Sequence, residues 1–171
     1  MNTSQGRAGR RVGGSLVGLV ALAAVVVPAS PAGAATSVGR FESLSADYDI
    51  QGVAILSRTS NGTSGRVVVT GLEPGVVYAA HLHNAACAAS NPGGGHYQNA
   101  AGAGVTPPNE LWFSSSSNPL AGIRANRGGV AIGRGSAEWV ARPDARAVVI
   151  HAIPSGGTPA GGPKIACADL A

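Results

Sequence analysis

The chain has 171 residues, 44% hydrophobic and 12% charged, with 26 Gly and 11 Pro. That is one domain's length, too apolar for a fully disordered chain, without collagen's Gly-X-Y period and too poor in Glu, Lys, Arg and Leu for long heptad helices. A formal charge of +4 would fit a nucleic-acid binder, but Arg7, Arg10 and Arg11 supply three of its 12 basic residues at the extreme N-terminus.

Those arginines open a leader. An apolar stretch over residues 13–27 follows, and Ala32-Gly33-Ala34 makes a small-residue exit. This reads as a secretory signal peptide over residues 1–34, with one exported domain over 35–171. The apolar stretch falls short of the ~20 residues a membrane anchor needs. The Arg10-Arg11 pair is followed by a poor match to a twin-arginine signal. The remaining nine basic residues face eight Asp and Glu. No basic face for a phosphate backbone is expected, nor stable membrane insertion once the leader is cut.

Strand signals dominate the rest. Residues 53–56 form an apolar run, 60–65 a Ser/Asn/Gly/Thr turn, 66–70 a β-branched run and Glu73-Pro74-Gly75 another turn. Residues 76–83, 111–113, 129–132, 147–153 and 165–170 continue the strands. No amphipathic helical window stands out. Residues 84–109 read as one long irregular stretch, a length usually tied to function or disorder. Short strands between Gly, Pro and Asn clusters predict an all-β antiparallel fold, a Greek-key sandwich or flattened barrel. Trp112 and Trp139 read as packing residues, Ser114 to Ser117 as a polar loop, and Asn61-Gly62-Thr63 as a turn before a glycosylation sequon.

The chemistry concentrates on four histidines. His81 and His83 lie at i and i+2 of a predicted strand, which points both rings to one face. His151 ends the apolar run 147–150, so a second strand can deliver a third ring. His96 follows Gly93-Gly94-Gly95, where a flexible backbone can bring a fourth. Imidazole suits Zn, Cu, Fe and Ni, and four nitrogens without a thiolate are compatible with tetragonal Cu(II). Cys87 and Cys167 can pair in an oxidising compartment, closing a loop of about 80 residues worth on the order of 4 kcal/mol. Two buried free thiols are the alternative.

His81-Leu82-His83, Cys87, Gly94-Gly95-His96, Val149-Ile150-His151-Ala152 and Lys164-Ile165-Ala166-Cys167 follow in an order that resembles the copper/zinc superoxide dismutases. Gly71 to Gly75 is similar as well, and the resemblance covers roughly residues 66–170. It implies a sandwich fold, with His81, His83 and His151 as copper ligands. It gives His96 the place of the histidine that bridges copper and zinc, and makes Cys87–Cys167 the family disulfide. Lys164 stands where the family has an arginine that guides the anionic substrate. His96 and Lys164 are therefore the catalytic candidates, and superoxide the expected substrate.

The chain also departs from that pattern. Between His96 and His151 there is no further histidine, and Glu110, Glu138 and Asp144 are the carboxylates there. A zinc site needs about four ligands, so a copper-only member is expected, with zinc not expected. Residues 152–163 carry no charge, which makes the loop after the last copper ligand look reduced. A metal-bound imidazole normally gives its second nitrogen a partner. Glu110 is the best candidate partner for His96, with an ordinary strand-edge carboxylate as the alternative. The expected protein is a secreted, copper-dependent superoxide dismutase. A copper-holding domain of little activity is the alternative.

Overall fold

The structure, a computed structural model, describes residues 35–153 and 162–170. The expected leader, residues 1–34, lies outside the described residues, as do residues 154–161. Among the described residues eight strands follow in chain order: β1 (Ala35–Ser43), β2 (Gln51–Thr59), β3 (Gly62–Thr70), β4 (Val77–His83), β5 (Ile123–Arg124), β6 (Ala131–Ala137), β7 (Ala147–Ala152) and β8 (Lys164–Asp169). One 3-10 turn, Pro119–Ala121, precedes β5. Every strand pairing is antiparallel, and the sheet order is β5-β4-β7-β8-β1-β2-β3-β6. β3 is followed in the chain by β4 but pairs with β6, the crossing connection of a Greek key. The expected all-β antiparallel architecture is thus what the chain adopts.

The barrel nearly closes through residues 111–114. Leu82 N donates to Leu111 O at 3.1 Å and Phe113 N to Ala80 O at 2.8 Å. Ser114 exchanges two 2.9 Å bonds with Arg134 on β6. The apolar run 111–113 therefore makes isolated bridges rather than a full ladder, yet it joins β4 to β6. Two glycines let it approach. A Cβ on Gly135 would stand 2.3 Å from Trp112 O, and one on Gly133 would stand 3.2 Å from Phe113 Cβ.

The remaining differences from the expected strands have local causes. β1 carries no apolar run: only Gly39 and Phe41 of its nine residues are buried, so its pattern was silent. The turn expected over 60–65 shrinks to Ser60-Asn61, because Thr59 already pairs with Gly62. Gly65 belongs to β3, paired with Leu56 and Gly135, and a Cβ there would stand 2.7 Å from Phe113 Cε1. The strand expected at 129–132 starts later, at Ala131, after Gly129 turns with φ 73°.

The core fills the barrel with Phe41, Leu56, Val67, Tyr78, Phe113 and Ile150 among others, all under 5% exposed. Each such side chain is worth about 1.5–3 kcal/mol on burial. β4 and β7 are buried on both faces. Tyr78, Ala80 and Leu82 enter the core. Their alternates Ala79, His81 and His83 point the other way and are buried too, because the irregular stretch covers that face. That inversion builds the site: the histidines sit outside the barrel wall but beneath a loop.

Candidate metal centre

β4 and β7 pair with Ala79 opposite His151, His81 opposite Val149 and His83 opposite Ala147. His81 and His151 are therefore diagonal neighbours, within reach of ring side chains. Small Ala79 leaves room between them, and a register shift at Ile150/His151 re-aims the last ring. The His81 ring centroid lies 4.9 Å from His83 and 4.7 Å from His151. His83 Nε2 and His151 Nε2 stand 3.2 Å apart.

The loop delivers His96. Asn84 N donates to Gly95 O at 3.0 Å, and Ala85 N to Gly93 O at 2.9 Å. Tyr97 N donates to Leu82 O at 2.9 Å, so His96 bridges to His83 as a short extra strand would. Gly93 makes this possible: φ is +74°, and a Cβ would meet Val149 Cγ2 at 2.5 Å and His83 Cβ at 3.3 Å. The His96 centroid lies 4.0 Å from His81 and 5.1 Å from His83. One nitrogen from each of the four histidines lies within 4.8 Å of all the others.

Two rings have their orientation set from behind. His96 Nδ1 donates to Glu110, 3.1 Å from each carboxylate oxygen. Glu110 is 2% exposed, and Trp112 Nε1 holds its Oε2 at 2.7 Å. His151 Nδ1 donates to Gly162 O at 2.9 Å. Each bond fixes a tautomer and leaves Nε2 as the lone pair the ring can offer. By contrast, His81 Nδ1, His81 Nε2 and His83 Nδ1 are buried without any hydrogen-bond partner. Buried polar atoms are rarely left so, and a metal ion would take one nitrogen of each ring.

Burial also favours the neutral form of His81, His83 and His151. It pushes His81 well below 6.5 and His83 down to about 3, with the neighbouring imidazoles adding to both shifts. Burial lowers His151 as well, against the Gly162 carbonyl, which favours its protonated form. Neutral imidazoles are the protonation state a metal ion requires. The donor set, four imidazoles and no thiolate, fits copper, though it would also accept other borderline ions.

No known family model matches the chain, and none of the curated proteins matches it. The fold and the site share three features: a nearly closed antiparallel barrel, four clustered histidines that could hold a metal ion, and a disulfide. That combination is compatible with a copper/zinc superoxide dismutase-like fold.

Cys87 and Cys167 are bonded, tying the covering loop to β8 across 80 residues. Cys87 N also donates to Asp169 Oδ1 at 2.7 Å, a second tie between the same two segments. The free-thiol alternative is thereby set aside. Lys164 is half-buried, and its ammonium donates to Asn91 Oδ1, Pro92 O and Gly94 O at 2.5–2.8 Å. All three of its protons go to the loop that carries His96. Among the described residues no helix is long and apolar enough to cross a membrane.

Two contributors were not foreseen from sequence: the Gly162 carbonyl and the Trp112 indole. The Trp112 ring packs 4.9 Å from His81 as expected of a packing residue, and its N–H also anchors Glu110. The i, i+2 spacing of Glu110 and Trp112 was a usable signal, since an extended segment places both on one face.

Proposed function

We propose that the chain is an exported, copper-dependent superoxide dismutase that works without zinc. The observation that carries this reading is the cluster of four converging imidazoles, two of which, His81 and His83, have buried ring nitrogens without a hydrogen-bond partner among the described residues. The ordered resemblance in sequence supplies the activity, and the disulfide is consistent with an oxidising compartment.

His81, His83, His96 and His151 would hold the copper. When bound, copper supplies one-electron chemistry, alternating between Cu(II) and Cu(I) as one superoxide is oxidised to dioxygen and a second is reduced to peroxide. The chain has to manage protons and charge. Glu110 keeps Nδ1 of His96, so Nε2 is the atom that can take up a proton and hand it to the departing peroxide. The Glu110 carboxylate also occupies the nitrogen that a second metal would need, which supports the zinc-free reading. Lys164 keeps a positive charge beside the cluster, and that charge raises the local concentration of a small anion.

A second reading, a copper-holding domain of low activity, is favoured by the same lysine. Its three N–H groups are committed to loop oxygens, and it lacks arginine's planar fork for an anion. One experiment separates the two. The protein is loaded with copper, stripped of free metal, analysed for copper and zinc per chain, and assayed for superoxide removal beside His151→Ala. Copper retention with activity well above the variant supports the dismutase. Copper retention with activity equal to the variant leaves the holding function. Zinc bound together with copper in the active protein would overturn the zinc-free assignment.

A further inference from the structure

A groove of about 1100 Å³ lies on the outer face of β3 and β6; none of the four histidines lines it, but one end reaches Glu110 and Trp112, which stand behind the cluster. Its floor is a ladder of paired side chains. Arg66 on β3 stands directly opposite Arg134 on β6, and both are exposed. One row further along the same face, Ser57, Ser64 and Ser136 align across three strands. Like charges directly opposite one another destabilise a sheet. Among the described residues, which include all eight Asp and Glu, no side-chain carboxylate is within ion-pair distance of either guanidinium.

The walls are built rather than loose. Trp139 lines the groove, with its Nε1 donating to Pro108 O at 2.7 Å and its ring 5.7 Å from Tyr97. Pro107 and Pro108 stiffen the same wall, and Pro119 also lines the groove. Glu138, exposed, also faces the groove.

We propose that this groove binds an acidic oligosaccharide, a uronic-acid chain whose carboxylate is gripped between Arg66 and Arg134. Two guanidiniums from directly opposed positions match a carboxylate in charge, and each carries the planar donor fork a carboxylate accepts. The serine row offers donors and acceptors to ring hydroxyls, and Glu138 accepts from them. The fixed indole offers an apolar face to a sugar ring. A compact phosphate would leave most of the groove empty. Glu138 would repel a densely charged polyphosphate or nucleic acid, but it suits a ligand with one carboxylate among many hydroxyls.

The chain has two tryptophans, and both line the groove, so at a fixed copper content their fluorescence reports its occupancy without an activity assay. Trigalacturonate is titrated into the protein and into the Arg66→Ser/Arg134→Ser variant, with cellotriose and inorganic phosphate as controls. Both arginines are exposed and unpaired, so a thermal melt of the variant should be unchanged or slightly higher. The expected result is a saturable change with trigalacturonate, weakened by salt and by about tenfold or more in the variant. Three results would overturn the proposal: no saturable change, an equal affinity in the variant, or an equal response to phosphate. Sedimentation revealing a dimer that the double substitution dissociates would also overturn it, by assigning the groove to a second copy.

Discussion

His96 directs Nδ1 at both oxygens of a carboxylate fourteen residues away, that of Glu110, at 3.1 Å each. The contact lies at the back of the cluster, where Trp112 clamps the same carboxylate. The ring that arrives on a glycine loop, the least regular of the four, is thus oriented by a buried side chain.

Replacing Glu110 with alanine should free the His96 ring to rotate. The expected loss is about 10–100-fold in copper affinity or in superoxide removal, as for other partners of metal-bound histidines. Competition against a copper chelator and an activity assay would measure it. A loss no larger than in control surface variants would leave Glu110 as packing alone.

Lys164 makes two separable contributions. Lys164→Ala removes three hydrogen bonds to the covering loop, and stability should fall by about 1–3 kcal/mol in a denaturant titration. Lys164→Arg keeps the charge and adds a planar fork. On the dismutase reading it should be faster than the native protein at low salt, with the advantage shrinking as salt rises. An unchanged or lower rate at low salt would count against a guiding role.

Acid should unfold the metal-free protein by a predictable route. Burial holds His83 down to about 3 and His81 well below 6.5 in the fold, whereas in the unfolded chain both titrate near about 6.5. Above that value neither state is charged. As pH falls through it, the unfolded chain binds protons that the folded chain refuses, so stability declines from there toward about 3. Thermal melts of chelator-treated protein should show this decline, and a His81→Gln/His83→Gln variant should show less of it. Equal slopes would refute the assignment.

The closing segment of the barrel has its own probe. Gly135→Ala would set a methyl 2.3 Å from the Trp112 carbonyl oxygen, pushing residues 111–114 off β6. A loss of about 1–3 kcal/mol is expected, as for other overpacked sites. Gly128→Ala, whose methyl would meet nothing nearer than 3.4 Å, should be close to neutral. Comparable melting temperatures for the two variants would show that the segment is free to shift.

Much of the barrel was readable in residue order, because period-2 alternation and Gly, Pro and Asn punctuation are local properties. The histidine strand at β4, the apolar run of β7 and the cysteine-bearing β8 all lie within a residue of where those signals put them. β1 was not readable: Gly39 and Phe41 are its only buried residues, and a strand held mainly by backbone pairing leaves little mark on composition.

The four imidazoles, their chain order and Glu110 as the best of three candidate carboxylates were already present in the residues themselves. Only the folded chain decided which face of β4 is which. His81 and His83 share a side by periodicity alone, but whether that side meets solvent, core or a covering loop depends on segments far away in sequence. The same holds for the Gly162 carbonyl behind His151, the three oxygens around Lys164 and the Arg66–Arg134 pair. Each joins residues at least eleven positions apart, and contacts at such range follow from strand register and loop closure, which no local pattern encodes.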